Sequence, residues 1–335
     1  ALICIGGGVF AAHAENEIRE LADLMQIPVI TTMMGISVFP DDDQLFCGMI
    51  GTHGVKMANA AVNESDVLFL VGARVGDRAV KTPLALEKTT KIIHIDIDPA
   101  EIGKNIGADL PLVGDAKLVL QQMTELAKPM KHDEWIAHIK TLGGERKYVE
   151  PAKGTVNPRV FIDRLAKKMP ANVTVVADVG QNQIWTCTEY KFRKEGRLLT
   201  SGGMGTMGYS VPAAIGAKMA DDSRATVAIC GDGAFQMSFM ELATAVQFGV
   251  DIKVVVMTNN RLGMVRELQT NGYHDRQTAV FLDGSPDFIK LAEAYGIPAM
   301  RVYVDDTMEK GVEMLAEHKG ICLVEVVVDK DMPTL

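Results

Sequence analysis

Apolar and polar positions change over in blocks along this chain, and the blocks read as strands and helices taking turns. LICIGGG (2–8) is a short apolar run that breaks on glycines, AENEIRELADLM (14–25) carries apolar residues at helical spacing, and IPVITT (27–32) is β-branched and apolar again. DVLFLVGA (66–73) and KIIHIDID (91–98) continue the strand series. The pattern breaks over 127–156, where charge, glycine and proline accumulate, and Asn157-Pro158 then reads as a helix start, with Asn as N-cap and Pro at the first helical position. The alternation resumes in VTVVADV (173–179), RLLTSGG (197–203), ATVAICGDG (225–233), IKVVVMTNN (252–260), AMRVYV (299–304) and ICLVEVVVD (321–329). Near-continuous apolar strands separated by helices predict parallel sheets covered on both faces. The expected fold class is α/β, with two doubly wound parallel-sheet domains at 1–130 and 157–335 and a connection over 131–156.

Candidate chemistry concentrates where two strands of the second half end. ATVAICGDG stops on Gly231-Asp232-Gly233, and IKVVVMTNN stops on Asn259-Asn260. Between them Phe235, Phe239, Leu242 and Val246 are spaced for one buried helical face. Strand, turn, helix and strand put both polar turns at the carboxyl edge of a parallel sheet, where ligands sit in such folds. A carboxylate and an amide oxygen are hard donors suited to Mg²⁺, and glycines at a helix N-terminus let backbone N–H groups approach a diphosphate. The residues themselves therefore suggest a Mg²⁺–diphosphate anchor at Asp232 and Asn259. A bare Asp-Gly turn would use the same three residues.

Composition narrows the class without changing that picture. The 335 residues are 47% hydrophobic and 23% charged with a formal net charge of −9, which suits globular domains and argues against nucleic acid or anionic membrane as partner. No apolar run reaches the roughly 18 residues of a membrane span. The five cysteines are scattered and form no Cys-x-x-Cys pair, and Cys4 and Cys230 fall inside apolar strand runs, so a reducing, cytoplasmic compartment is expected. The chain opens on a strand–glycine pattern without an initiator Met, which leads us to expect a portion of a longer polypeptide with a further N-terminal domain.

The extended stretch GDGAFQMSFMELATAVQFGVDIKVVVMTNNRLGMVRELQ, with DVGQNQIW (178–185) and SGGMGTMGYSVPAAIGA (201–217) upstream of it, resembles the acetolactate synthase (acetohydroxyacid synthase) catalytic subunit, a thiamin diphosphate-dependent enzyme family. The resemblance covers nearly the whole chain. It implies decarboxylation of pyruvate on thiamin diphosphate and condensation of the two-carbon unit with a second 2-ketoacid, in branched-chain amino acid biosynthesis. It also implies Mg²⁺ on Asp232, Asn259 and the Arg261 carbonyl, the Arg261 side chain being otherwise a solvated loop charge. Thiamin diphosphate contacts would come from Val179, Gly180, Gln181, Asn182, Gly205, Met207, Gly231, Gly233, Ala234 and Met264. Asn182 stands where many family members carry His. Met207 would prop the cofactor into its bent form, although core filling is the commoner use of methionine. GMVRELQ (263–269) resembles the family's GMVRQWQ, so Val265 and Leu268 would face substrate, with Leu268 in the place of a Trp.

The first half carries a second resemblance. GTHGVKMANAAVNESDVLFLVGARVGDRAV (51–80) and KIIHIDIDPAEIGKN…LVGDAK (91–117) look like the family's FAD-binding middle domain, which implies flavin contacts from His53, Gly54, Gly72, Arg74, Asp96, Ile97 and Asp115. Gly6-Gly7-Gly8 would admit a ligand close to the backbone or serve a bare turn. Arg78 would attract a substrate carboxylate or pair with Asp77 on the surface. The carboxylate that the reaction needs against the pyrimidine ring is implied to lie in the pyrimidine-binding N-terminal domain of a partner subunit, so no catalytic residue is assignable in this chain and the chain by itself is expected to be inactive. A homodimer or tetramer and a small regulatory subunit are further implications. The rival expectations are another thiamin diphosphate enzyme, of pyruvate oxidase or glyoxylate carboligase type, and a non-catalytic cofactor-binding fragment.

Overall fold

Short β-branched runs that are apolar at every position are stable as strands only where both sheet faces are covered, and both sheets of this chain are built that way. The computed structural model describes residues 1–144 and 148–335. The chain folds as two compact units, Ala1–Arg146 and Lys147–Leu335. The first holds β1 (Leu2–Ile5), β2 (Val29–Thr31), β3 (Phe46–Met49), β4 (Val67–Val71), β5 (Lys91–Asp96) and β6 (Leu110–Val113), all parallel, in the order β3-β2-β1-β4-β5-β6. The chain walks outward from β1 to β3 and then returns to β4 on the other side of β1. That reversal opens a crevice beyond the carboxyl ends of β1 and β4. Its two faces carry separate cores, one around Leu68, Leu70 and Ile92 and the other around Ile3, Ile5 and Phe39.

The second unit holds β7 (Thr174–Ala177), β8 (Arg197–Thr200), β9 (Thr226–Gly231), β10 (Lys253–Thr258), β11 (Ala299–Val302) and β12 (Cys322–Val327), again all parallel, in the order β11-β12-β10-β9-β7-β8. From β7 the chain steps outward to β8 and crosses back to β9, so the loops after β7 and β9 diverge. Every residue of β10 is buried, as its VVVM run requires.

The two short edge strands β3 and β6 carry no strand signal in the sequence. Gly48 interrupts the first and Pro111 the second, and a proline that cannot donate to a ladder belongs at an edge. The stretch 131–156, expected as a connection, contains the helix Asp133–Leu142, whose Trp135 donates its indole N–H to the Ala1 carbonyl at 2.9 Å; residues 145–147 of that stretch lie outside the described residues. Asn157 caps the helix Pro158–Lys168 as expected, its Oδ1 accepting from the N–H groups of Arg159 and Val160. One helix is corrected. The run after Asp232 is not continuous: Asp232–Phe235 ends, a tight 3-10 turn covers Phe239–Glu241, and Leu242–Gln247 restarts. Ser238, at φ −143°, breaks the phase, so Ala245 is buried in place of Val246, which is 43% exposed.

Candidate functional site

The adjacent ends of β7, β9 and β10 converge on one cleft, lined by residues from all three strand ends. β9 delivers Asp232 and β10 delivers Asn259, one strand apart. The buried Asp232 carboxylate accepts three backbone N–H groups, Gly233 at 2.8 Å on Oδ1, and Asn259 at 3.1 Å and Asn260 at 2.6 Å on Oδ2. Burial nevertheless pushes the carboxyl up to about 6, against those N–H groups, which hold it down. A carboxylate offers about four lone-pair sites, so Oδ1 keeps one free for a further partner, and a buried anion in that condition favours a cation. Asn259 Oδ1 accepts the Arg261 N–H at 3.1 Å and likewise keeps a lone pair. Among the described residues no group of three or more His, Cys, Asp and Glu could hold a metal, so a cation here would rely on one carboxylate with amide and carbonyl oxygens, the donor set of a hard ion.

The cleft floor is apolar. A Cβ added to Gly233 would lie 2.7 Å from Leu262 Cδ2, 3.1 Å from Leu282 Cδ1 and 3.4 Å from Met207 Cε, so glycine keeps this floor low. Gly180 sits at φ +139°, a conformation suited to glycine, and turns β7 into the wholly buried helix Gln181–Glu189. That helix start faces the cleft, where its first N–H groups lack intrahelical partners.

Of the residues expected on the thiamin side, Val179, Gly180, Gln181, Asn182, Met207, Gly231, Gly233, Ala234, Met264, Asp232, Asn259, Arg261 and Val265 all line the cleft; Gly205 and Leu268 do not, and Leu268 is 63% exposed. Three expected roles change. The Asn182 amide does not offer its donors to a ligand, because its Nδ2 donates to Asp178 O at 2.8 Å and Ile229 O at 3.2 Å, tying the ends of β7 and β9. The Gln181 amide is likewise engaged with protein on both sides. The Arg261 side chain is no solvated loop charge: it pairs with Asp283 at 2.8 Å and lies over the Phe281 ring, 4.6 Å from its centroid.

Sequence reasoning passed over Asp178. This wholly buried carboxylate accepts from Val179 and Gly208 on Oδ1 and from Ser210 on Oδ2, and so fastens the loop that carries Met207 to the end of β7. An aspartate closing an otherwise apolar strand was the available signal. All five cysteines are free and buried, and burial raises the Cys230 thiol well above its usual range, which keeps it inert.

In the first unit the expected flavin residues lie in loops at the carboxyl edge of the sheet. Gly6-Gly7-Gly8 acts mainly as a packing turn: Gly8 N–H donates to Gly72 O at 3.0 Å, and a Cβ on Gly8 would stand 2.7 Å from Gly72 Cα. Gly72 itself is left-handed at φ +56°. Gly54 closes a turn onto Gly51 O, and the neighbouring Thr52 N–H reaches the Arg78 carbonyl at 2.8 Å, while the side chains of Arg74 and Arg78 are exposed. His53 lies in the same 51–54 turn. Asp96 accepts from the Asp98 N–H, Ile97 is 71% exposed, and Asp115 caps the helix Ala116–Leu126. His94, two residues before Asp96 on β5, is buried, and burial lowers its pKa against the raising effects of Asp96 and the Ala73 backbone.

Comparison with known proteins matches both units to one family. Residues 1–123 match the central domain of the thiamine pyrophosphate enzymes, and residues 178–326 match their C-terminal TPP binding domain. The chain is 40% identical, over 98% of its length and 57% of the relative's, to a protein of Methanocaldococcus jannaschii named as a probable acetolactate synthase large subunit. Acetolactate synthase large subunits of Lactococcus lactis (35% identical, over 98% of this chain and 57% of the relative) and Corynebacterium glutamicum (40%, over 90% and 50%) are also similar. The chain spans about half the length of the curated relatives it matches.

Proposed function

Because this chain belongs to the thiamine pyrophosphate enzyme family, we propose that it is the middle and C-terminal part of an acetolactate synthase catalytic subunit, which joins the two-carbon unit of pyruvate to a second 2-ketoacid. The observation that carries the cofactor assignment is the buried Asp232 carboxylate beside the Asn259 amide, each with an oxygen lone pair free, at a glycine-lined cleft. Asp232, Asn259 and the Arg261 carbonyl would hold Mg²⁺, and the helix start at Gly180–Asn182 with Gly231 and Gly233 would receive the diphosphate. Thiamin diphosphate when bound supplies the electron sink for decarboxylation.

The chain's own residues supply binding, orientation and a dry floor. Met207, Leu262 and Leu282 exclude water beside Gly233, and Asp178 holds the Met207 loop in place. Met264 and Val265 stand at the mouth, where a ketoacid would enter; Leu268 and Gly205 would act from outside the cleft. Asp232 is the sole carboxylate among the described lining residues, and a cation would occupy it. The proton-transferring carboxylate therefore has to come from elsewhere, in keeping with a further domain of a partner subunit and a homodimer or tetramer. A small regulatory subunit and a cytoplasmic location remain part of the proposal; no helix among the described residues is long and apolar enough to cross a membrane.

FAD is proposed for the edge of the first sheet. The strand order there is the dinucleotide-binding one, exposed Arg74 offers permanent charge to a diphosphate, and Asp96 and Ile97 offer an acceptor and an apolar surface to a nucleoside. His53, Gly54, Gly72 and Asp115 would line or support that edge, and the Arg78 guanidinium would offer its charge to a substrate carboxylate. The test uses the intact protein: calorimetric titration with Mg²⁺ and thiamin diphosphate, flavin retention through gel filtration, and acetolactate formation from pyruvate. Asp232→Ala is expected to abolish Mg²⁺-dependent thiamin diphosphate binding, and unchanged affinity would overturn the metal assignment.

A further inference from the structure

An asparagine can ligate a cation only through its oxygen, and its amide changes shape little when it turns end for end, so a metal site built on Asn259 needs something to decide which end faces the ion. We propose that Gln181, held by Glu267 and the Met332–Thr334 segment, is the positioning residue that makes this decision. The proposal rests on the metal assignment made above.

The relay can be followed atom by atom. Asn259 Nδ2 donates to Gln181 Oε1 at 3.2 Å, while Asn259 Oδ1 accepts the Arg261 N–H at 3.1 Å. Gln181 carries the same ambiguity as Asn259, and its other end removes it. Gln181 Nε2 faces Glu267 Oε2 at 3.2 Å, the Met332 carbonyl at 2.9 Å and Thr334 Oγ1 at 3.2 Å. A carboxylate and a carbonyl can only accept. The Thr334 hydroxyl is made an acceptor as well, because its own proton goes to Glu267 Oε2, while the Thr334 N–H holds the same carboxylate at 3.0 Å. A turned Gln181 would set its oxygen against Glu267 and Met332 O, and its NH₂ against the NH₂ of Asn259. Glu267 and Met332 therefore specify Gln181, Gln181 specifies Asn259, and the Asn259 oxygen is left at the Arg261 N–H with a lone pair to spare. Gln181, Met332 and Thr334 are all nearly inaccessible to solvent, which sharpens the preference. Glu267 touches neither cofactor nor substrate in this scheme.

The experiment measures, in the intact protein, the Mg²⁺ concentration that half-saturates thiamin diphosphate binding. The readout is the heat of thiamin diphosphate binding, measured by calorimetry across a series of Mg²⁺ concentrations. Glu267→Leu is expected to raise that concentration about tenfold, the usual scale for removing an outer partner of a metal ligand. Glu267→Gln retains an acceptor and is expected to stay close to wild type. The decisive comparison is in an Asn259→Asp background, where both side-chain oxygens can ligate and no orientation is needed: there Glu267→Leu should cost nothing. Wild-type Mg²⁺ dependence in Glu267→Leu, or an equal loss in the Asn259→Asp background, would overturn the relay and leave only a packing role. Absence of Mg²⁺-dependent binding in the wild-type protein would instead overturn the functional proposal.

Discussion

Removing the Asp178 carboxylate should loosen the cleft and lower the stability of the second unit together. Asp178 is fully buried with no cationic partner among the described residues, and its three N–H donors are what keep it there. The bonds from Gly208 and Ser210 cross from the loop after β8 to the end of β7, and Ser210 opens the helix Ser210–Ala220, whose dipole favours the charge. Hydrogen bonds to a charged group contribute roughly 1.5–3 kcal/mol each, so the two cross-loop bonds amount to about 4 kcal/mol. Relief of the buried charge offsets part of that in Asp178→Ala, while the stranded Ser210 N–H adds to it, leaving a loss of about 3–4 kcal/mol. At roughly 2–4 °C per kcal/mol for a unit of this size, the transition should fall by about 10 °C. Trp185 reports that transition if Trp135 is replaced by Phe, since the chain has 2 tryptophans, one in each unit. Asp178→Asn keeps one acceptor and should lose about half as much. Well below the transition, both variants should bind thiamin diphosphate more weakly because the Met207 loop is no longer fastened. An Asp178→Ala protein melting with the wild type would refute the stability argument, and unchanged affinity would refute the link to the cleft.

Phe235→Ala empties a wholly buried site against Phe288, whose ring centroid is 5.4 Å away, and should cost roughly 3–5 kcal/mol in urea denaturation; a loss below about 1 kcal/mol would contradict the packing. Because burial raises the Asp232 carboxyl from 3.8 to about 6, the folded protein binds that proton more tightly than the unfolded chain, so metal-free stability should fall as pH rises from about 4 to about 6, by about 3 kcal/mol, and then level off. Asp232→Asn should lack this decline; an identical pH slope in both proteins would exclude the assignment. Leu268→Trp, at an exposed position outside the cleft, should leave thiamin diphosphate affinity unchanged while shifting the choice of second ketoacid, measured as product ratio in competition; a changed affinity with an unchanged ratio would reverse the roles assigned here.

The sequence by itself determined the repeated elements and the placing of Asp232 and Asn259 at one sheet edge. All-apolar β-branched runs can only be covered strands, glycines and side-chain amides can only close them at the edge, and both are local properties that survive without any knowledge of neighbours. Asp232 and Asn259 were legible for that reason, each being a polar residue placed at the end of its own apolar run. Edge strands β3 and β6 were not, because pairing with one neighbour needs little β preference and tolerates Gly48 and Pro111. The phase of the helix after Phe235 was lost at Ser238, a single backbone angle that periodicity does not register. Only the tertiary structure decided what the amides of Gln181 and Asn182 do, since their donors are claimed by Met332, Thr334, Glu267, Asp178 and Ile229, residues between 4 and 153 positions away. An amide's chemistry is set by whichever acceptor folding brings to it, and residue type alone carries no record of that partner.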